Sequence, residues 1–216
     1  MKKSLFSLLL AALAVFAYGQ SALDYFPSEK DVIWQYANPD RQAFIRLDLV
    51  VNHDTQGTSH TIHVRSLRSN DGGQTRLMSS ATYRFDEEKS DRIELIASEG
   101  ALGKNDYSRN PRAHLIVPPS ESEVVRLERG RSEIRFSYGD TEVNGTRYED
   151  CIVKTKKQTI QVSETLETSS IMREFYAKGV GLVKQDFPET LQEDSPVKEE
   201  VLLVKKRPAS SAASQE

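Results

Sequence analysis

Between Ser132 and Lys184 the chain alternates in a way that leaves few options for its fold. Ile134, Phe136 and Tyr138 alternate with Glu133, Arg135 and Ser137. A period of two puts the first set on one face of a strand and the second set on the other. Asn144-Gly145 follows. Both residue types tolerate positive φ, so the pair suits the tight turn whose twist matches its flanking strands. Tyr148 to Thr155 then reads as the return strand, with Cys151 and Val153 on one face, and Ile160 and Val162 sit in a polar, Thr-rich run typical of a half-solvated strand. The stretch closes on Gly179-Val180-Gly181-Leu182-Val183. Read as one strand, it places both glycines on the same face, where a missing side chain marks a bulge or a close approach by other atoms. Packing or curvature is the first reading of these glycines, and a ligand lying over bare backbone is the second.

The remaining segments carry the same period. Asp31 to Ala37 holds Trp34 and Tyr36 on one face, and Asn38-Pro39-Asp40 turns the chain. In Gln42 to Asn52, Ile45, Leu47, Leu49 and Val51 form an uninterrupted apolar face opposite Arg46 and Asp48. Thr58 to Ser69, Leu77 to Phe85, Arg92 to Ala97, His114 to Val117 and Val124 to Leu127 read as further strands, and Val197 to Lys206 as a closing one. Ser98 to Arg112 has no period and many breakers, which makes 98–112 the longest interior loop and a place where a partner could be contacted. No segment keeps a 3.6-residue period. Roughly eleven short strands with turn signals between them predict an all-β protein. Its single antiparallel sheet should be strongly curved, a half-barrel or barrel, or else split into two packed sheets.

The chain opens Met1-Lys2-Lys3, runs apolar from Leu5 to Ala17, and reaches Ala17-Tyr18-Gly19 before Gln20. A charged start, a short apolar run and a small-x-small site make residues 1–19 a signal peptide of bacterial type, with eukaryotic secretion left open. The apolar run is well short of the ~20 residues that cross a bilayer. Residues 20–207 then form one β-domain, and 208–216, rich in Ala and Ser, a disordered tail. Loss of Lys2 and Lys3 with the leader takes the formal net charge from -3 to -5, which argues against nucleic acid and against charge-driven binding to anionic lipid. With Cys151 as the one cysteine, no intrachain disulfide can form, so the core alone must stabilise the fold.

Tyr25-Phe26-Pro27, Trp34-Gln35-Tyr36, Tyr148-Glu149-Asp150-Cys151 and Phe175-Tyr176-Ala177-Lys178-Gly179-Val180-Gly181-Leu182-Val183-Lys184 occur in that order. This order resembles a loose group of exported bacterial β-rich proteins of unknown function that end in a Tyr-Ala-x-Gly-Val-Gly-Leu-Val strand. The resemblance spans most of the mature chain and implies an architecture and an address, periplasmic or secreted, with no reaction attached. Many members carry a lipid-attachable cysteine at the cleavage point; here Gly19-Gln20 stands there.

Candidate chemistry is sparse. His60 and His63 are three apart, so on a strand they point to opposite faces and cannot grip one ion without a bulge. His53 reads as a turn residue near them, and His114, opening an apolar strand, as a half-buried structural residue. Cys151 reads as a small core hydrophobe. Lys154-Thr155-Lys156-Lys157 and Lys205-Lys206-Arg207 read as solvated strand edges that resist edge pairing. No nucleophile elbow and no phosphate loop is present. These readings assign no catalytic residue, no metal ligand and no cofactor, and leave the ligand-binding residues unknown. The expected function is non-enzymatic: an exported protein, comparable to periplasmic lipoprotein carriers by fold analogy, that binds a hydrophobic ligand or lipid on an apolar concave face. The alternative is a structural or interaction protein of the bacterial envelope acting through a sheet edge or the 98–112 loop.

Overall fold

A computed structural model describes residues 20–69, 75–101, 103–119, 122–127, 130–161, 163, 166–192 and 195–209, the side chains at 41–44, 125 and 127 excepted. The expected leader, 1–19, lies outside the described residues, as does 210–216. After a 3-10 turn at Ala22–Tyr25, thirteen strands follow. They are β1 (Val32–Asn38), β2 (Arg41–Gln56), β3 (Ser59–Ser69), β4 (Thr75–Asp86), β5 (Arg92–Gly100), β6 (Gly103–Asp106) and β7 (Arg112–Ile116), then β8 (Ser122–Leu127), β9 (Gly130–Val143), β10 (Thr146–Gln161), β11 (Glu167–Ala177), β12 (Gly181–Pro188) and β13 (Val197–Pro208).

All thirteen belong to one antiparallel sheet that does not close, as the period-two pattern predicts. The order is β6-β5-β4-β3-β2-β1-β13-β12-β11-β10-β9-β8, with β7 also on β5. Two sequence-consecutive meanders are therefore joined at one long-range seam, where Trp34 pairs with Lys206 and Tyr36 with Leu203. The two halves form facing leaves. One core unites Val50, Ile62, Phe85, Ile93 and Leu115 of the first leaf with Ile134, Phe136, Ile152, Leu182 and Val201 of the second. Each such side chain stabilises by about 1.5–3 kcal/mol on leaving water, which is the force that bends so long a sheet.

Asn144 and Gly145 take φ of 50° and 77°, the left-handed pair that a two-residue hairpin turn requires. The tip they make does not stand free. Asp150 also sits at positive φ (52°) and the β9–β10 register shifts between Tyr148 and Cys151, so the hairpin bends back across the outer face. Asn144 Nδ2 there donates to the Leu203 carbonyl at 3.0 Å. The fold-over seals a second core of Val143, Cys151, Val153, Phe175, Ala177 and Val183.

Four local expectations change. The run Tyr176 to Val183 is a hairpin rather than one strand: β11 ends at Ala177, Gly179 turns, and Gly181 starts β12 at φ +94°. The first reading of these glycines holds at Gly181, where an added Cβ would meet the Pro27 nitrogen at 3.1 Å. Residues 98–112 are not one loop, because β5 runs on to Gly100 and β6 pairs back on it. The apolar face of β2 points outward, since Ile45, Leu47 and Leu49 lie beside Ala37, Gln35 and Ile33 while Arg46 and Asp48 lie beside Tyr36 and Trp34 on the core side. Lys154 is no solvated edge residue; it is 8% exposed, on a strand paired on both sides. At the C-terminal end, β13 runs through Pro208, and Ala209 N donates to Asp31 O.

Candidate ligand site in the concave face

The three aromatic and glycine motifs singled out in the sequence converge at one end of the folded sheet. Trp34 Nε1 donates to Val180 O at 2.9 Å and Tyr36 Oη to Leu182 O at 3.1 Å. Gly179 N donates to Asp24 O, and Ala22 N to Ser90 O in the β4–β5 turn. The segment Ala22–Ser28 thus lies as a strap across that end, tied to both leaves. Phe26 turns inward from it and packs edge-on against Tyr83 (4.8 Å between ring centres) and His114 (5.5 Å).

Below Phe26 a polar network crosses from one leaf to the other. Arg46 grips Asp48 through Nε to Oδ1 (2.9 Å) and Nη2 to Oδ2 (2.6 Å), and its Nη1 donates to Gln185 Oε1. Gln185 Nε2 donates to Glu174 Oε1 at 2.8 Å. Glu174 Oε2 accepts from Tyr176 Oη at 3.1 Å and faces Lys154 Nζ at 3.4 Å. Lys154 Nζ lies 3.2 Å from His114 Nδ1, and His114 Nε2 lies 3.3 Å from Tyr176 Oη. An ammonium only donates, so Nδ1 is the accepting nitrogen and Nε2 carries the hydrogen. Lys154, His114, Tyr176 and Glu174 then form a closed ring of polar contacts between β7, β10 and β11.

The protonation states follow from these contacts. Burial pushes the Glu174 carboxyl up, but Lys154, the Gln185 hydrogen bond and Arg46 outweigh it and hold it at about 2. Burial and then the Lys154 charge push His114 well below the ordinary imidazole range, so it is neutral, in keeping with its accepting Nδ1. Burial and then Glu174 push the Tyr176 hydroxyl up; burial and then Asp48 do the same for Tyr36. Every charged group of the network is paired, and each proton is held where it is.

Between the leaves a pocket of about 150 Å³ remains. Phe26, Pro27, Val64, Ala81 and Leu182 give it apolar walls, and the paired charges of Arg46, Asp48 and Glu174 line one side. Tyr83, Ser66 and Ser79 also line it, and their hydroxyls find no hydrogen-bond partner among the described residues.

His60 and His63 point to opposite faces as their spacing implies, whereas His53 and His60 meet, Nε2 to Nδ1, at 3.0 Å. His63 accepts or donates at Thr82 Oγ1 (2.9 Å), while His60 faces the other way, toward His53 and Glu87. His53 is not in a turn, because β2 continues to Gln56. Cys151 is fully buried, and burial pushes its thiol up to about 11. The concave network is not legible in the spacing of its residues. Arg46, Lys154 and Glu174 sit in strands whose alternation is plain, but alternation does not say which face turns inward.

Two solved structures share this architecture. One is a candidate lipoprotein from Parabacteroides distasonis ATCC 8503, 9% identical, with a TM-score of 0.54 over 85% of this chain and 98% of that one. The other is a candidate exported protein with a YmcC-like fold from Bacteroides fragilis NCTC 9343, 10% identical, with a TM-score of 0.52 over 84% of this chain and 98% of that one. At such identity the likeness is one of fold alone. No protein-family model matches the chain, and no curated protein does.

Proposed function

We propose that this is an exported, non-enzymatic binding protein that holds a small uncharged polar ligand in the pocket between its leaves. The observation that carries the reading is the pairing of every charge in the pocket wall, beside three half-buried hydroxyls, on Ser66, Ser79 and Tyr83, that make no hydrogen bond among the described residues. A charged ligand would meet no free counter-charge there, whereas a neutral one finds donors and acceptors on one side and Phe26 and Leu182 on the other. The size points the same way. A cavity of about 150 Å³ accepts a molecule near the size of benzene, while larger ligands use roughly 300–1,000 Å³. The lipid expected from the sequence does not fit unless the strap moves, because the rest of the concave face is filled by the protein's own side chains.

The non-enzymatic part rests on the locked protonation states. Glu174 is ionised, His114 neutral and the tyrosines protonated, so none is poised near neutrality for proton transfer. Export rests on the leader-like start and on the likeness to proteins described as exported or lipoprotein. The envelope-interaction reading keeps one support: the sheet is open, and β6 at its edge has all four residues exposed.

Native mass spectrometry of protein purified from its host's periplasm tests the reading, together with a fragment screen of small neutral polar compounds followed at Tyr83. A small neutral adduct, or fragment binding lost in Tyr83→Phe and Ser79→Val, is the expected result. Phospholipid adducts would return the site to a carrier, and an empty pocket that takes no fragment would end the proposal.

A further inference from the structure

β6 ends the sheet with a free edge. It pairs with β5 alone, and all of Gly103–Asp106 is exposed. The register runs from Gly100–Gly103 to Ala97–Asp106, and one step further Tyr107 N donates to Ile96 O at 2.8 Å. Bonded and non-bonded pairs alternate along an antiparallel ladder. Counting back from Tyr107, the backbone groups of Asn105 and Gly103 are directed at β5. Those of Lys104 and Asp106 therefore point away from it, out of the free edge.

Two copies of β6 can meet there about a two-fold axis normal to the sheet. Symmetric registers that use the outward groups set Lys104 opposite itself, Asp106 opposite itself, or Lys104 opposite Asp106. The first two place like charges directly across the ladder, which is destabilising. The third centres the axis on Asn105. Each Lys104 then faces Asp106 of the second copy in a closely bonded pair, exchanging both N–H···O bonds. Opposite charges meet in the same two pairs.

The side chains are already set for this register. Lys104 and Asp106 share a face of the sheet, as do their β5 partners Glu99 and Ala97. Lys104 Nζ lies 3.1 Å from Glu99 Oε2. Across the joint the charges would run Glu99, Lys104, then Asp106 of the second copy, alternating in sign. Asp106 Oδ1 accepts from Ser108 N at 2.8 Å, which leaves Oδ2 for the incoming ammonium. A lysine on an edge strand opposes pairing with an arbitrary strand. With an aspartate two residues on, it selects a second copy in one register.

We propose that the β6 edge is a self-association surface, where two copies of this chain join antiparallel about Asn105 into one continuous sheet. The contact is isologous, so it stops at the dimer. An edge this short buries less than the roughly 1,200 Å² of a standard interface, so the dimer is weak and reversible. No pocket and no ligand enters the argument, so it stands or falls apart from the function proposed above.

Sedimentation velocity of the mature chain, between about 10 µM and about 1 mM, tests the joint in the range of weak interfaces. A reversible monomer–dimer shift is expected. Lys104→Asp sets carboxylate against carboxylate in the same register, and Asp106→Lys sets ammonium against ammonium. Each alone should weaken association on the order of tenfold or more. Both sites are exposed, so the fold tolerates either change. An equimolar mixture of the two variants restores opposite charges in both pairs and should dimerise again. Amide exchange of Lys104 and Asp106 should slow as the wild type dimerises, while Asn105, already bonded to β5, keeps its rate. A wild type that stays monomeric throughout, single variants that associate as it does, a mixture that stays apart, or a dimer whose Lys104 and Asp106 amides are unprotected each overturn the proposal.

Discussion

Lys154 and Glu174 are cross-strand partners on β10 and β11 whose charged ends meet at 3.4 Å inside the folded sheet. Both are almost wholly buried. Removing one partner of such a pair leaves the other charge desolvated and alone, which costs about 3–5 kcal/mol. Glu174→Gln is therefore expected to lower stability by about 3 kcal/mol in urea denaturation. Adding Lys154→Met to it should recover part of that loss, because the stranded ammonium goes with it. A double variant weaker than the single one would show that the ring contributes more than its charges.

The same residue sets a pH dependence. The Glu174 carboxyl is depressed on folding, from the ordinary 4.5 to about 2. Its contribution is thus complete above about 4.5 and lost as pH falls toward about 2, and the difference is worth roughly 3 kcal/mol. His114 acts earlier and in the same direction. Its folded value lies well below the ordinary 6.5, so the unfolded chain takes up the proton first and stability falls as pH drops below about 6.5. Denaturation midpoints across the acid range should decline in two stages. His114→Gln should remove the upper one; an unchanged upper stage would mean that His114 is protonated in the folded protein.

Gly181 allows β12 to start under Pro27. It combines φ of +94° with a Pro27 nitrogen 3.1 Å from where a Cβ would stand. Gly181→Ala is expected to cost about 1–3 kcal/mol. Gly57 has positive φ but open space around it, so Gly57→Ala isolates the backbone term and should cost less. Equal losses would remove the Pro27 contact as the reason for the glycine.

The Cys151 thiol is sealed in the outer core and pushed up to about 11 by burial. A thiol reagent should label the native protein only as fast as it opens, and at once in denaturant. Rapid labelling of native protein would mean that the bent β9–β10 tip lifts readily from the sheet.

The leader reading has its own check. Cleavage after Gly19 makes Gln20 the first residue, and Gln20 Oε1 accepts from Tyr138 Oη at 2.9 Å. Intact mass of the exported protein should begin at Gln20, and a mature chain starting beyond Ala22 would have lost the strap's tie to Ser90.

Period-two alternation and turn chemistry in the sequence determined that the chain is all-β, that strands pair with their neighbours, and that Asn144-Gly145 turns a hairpin. These are local properties, written in adjacent residues. Trp34 and Tyr36, and Cys151 and Val153, share faces as their spacing says. Which face turns inward is not local. In β2 the charged set, Arg46 and Asp48, faces the core because Tyr36 and Trp34 lie beside it and the seam with β13 directs that side toward Gln185 and Glu174. The pairing of His53 with His60 needed β2 to outrun its apolar pattern by four polar residues. The concave network joins residues as much as 139 apart, Arg46 and Gln185. Only the closing of the two leaves brings them together, because a strand's pattern fixes two faces and the bend of the whole sheet decides which of them becomes the inside.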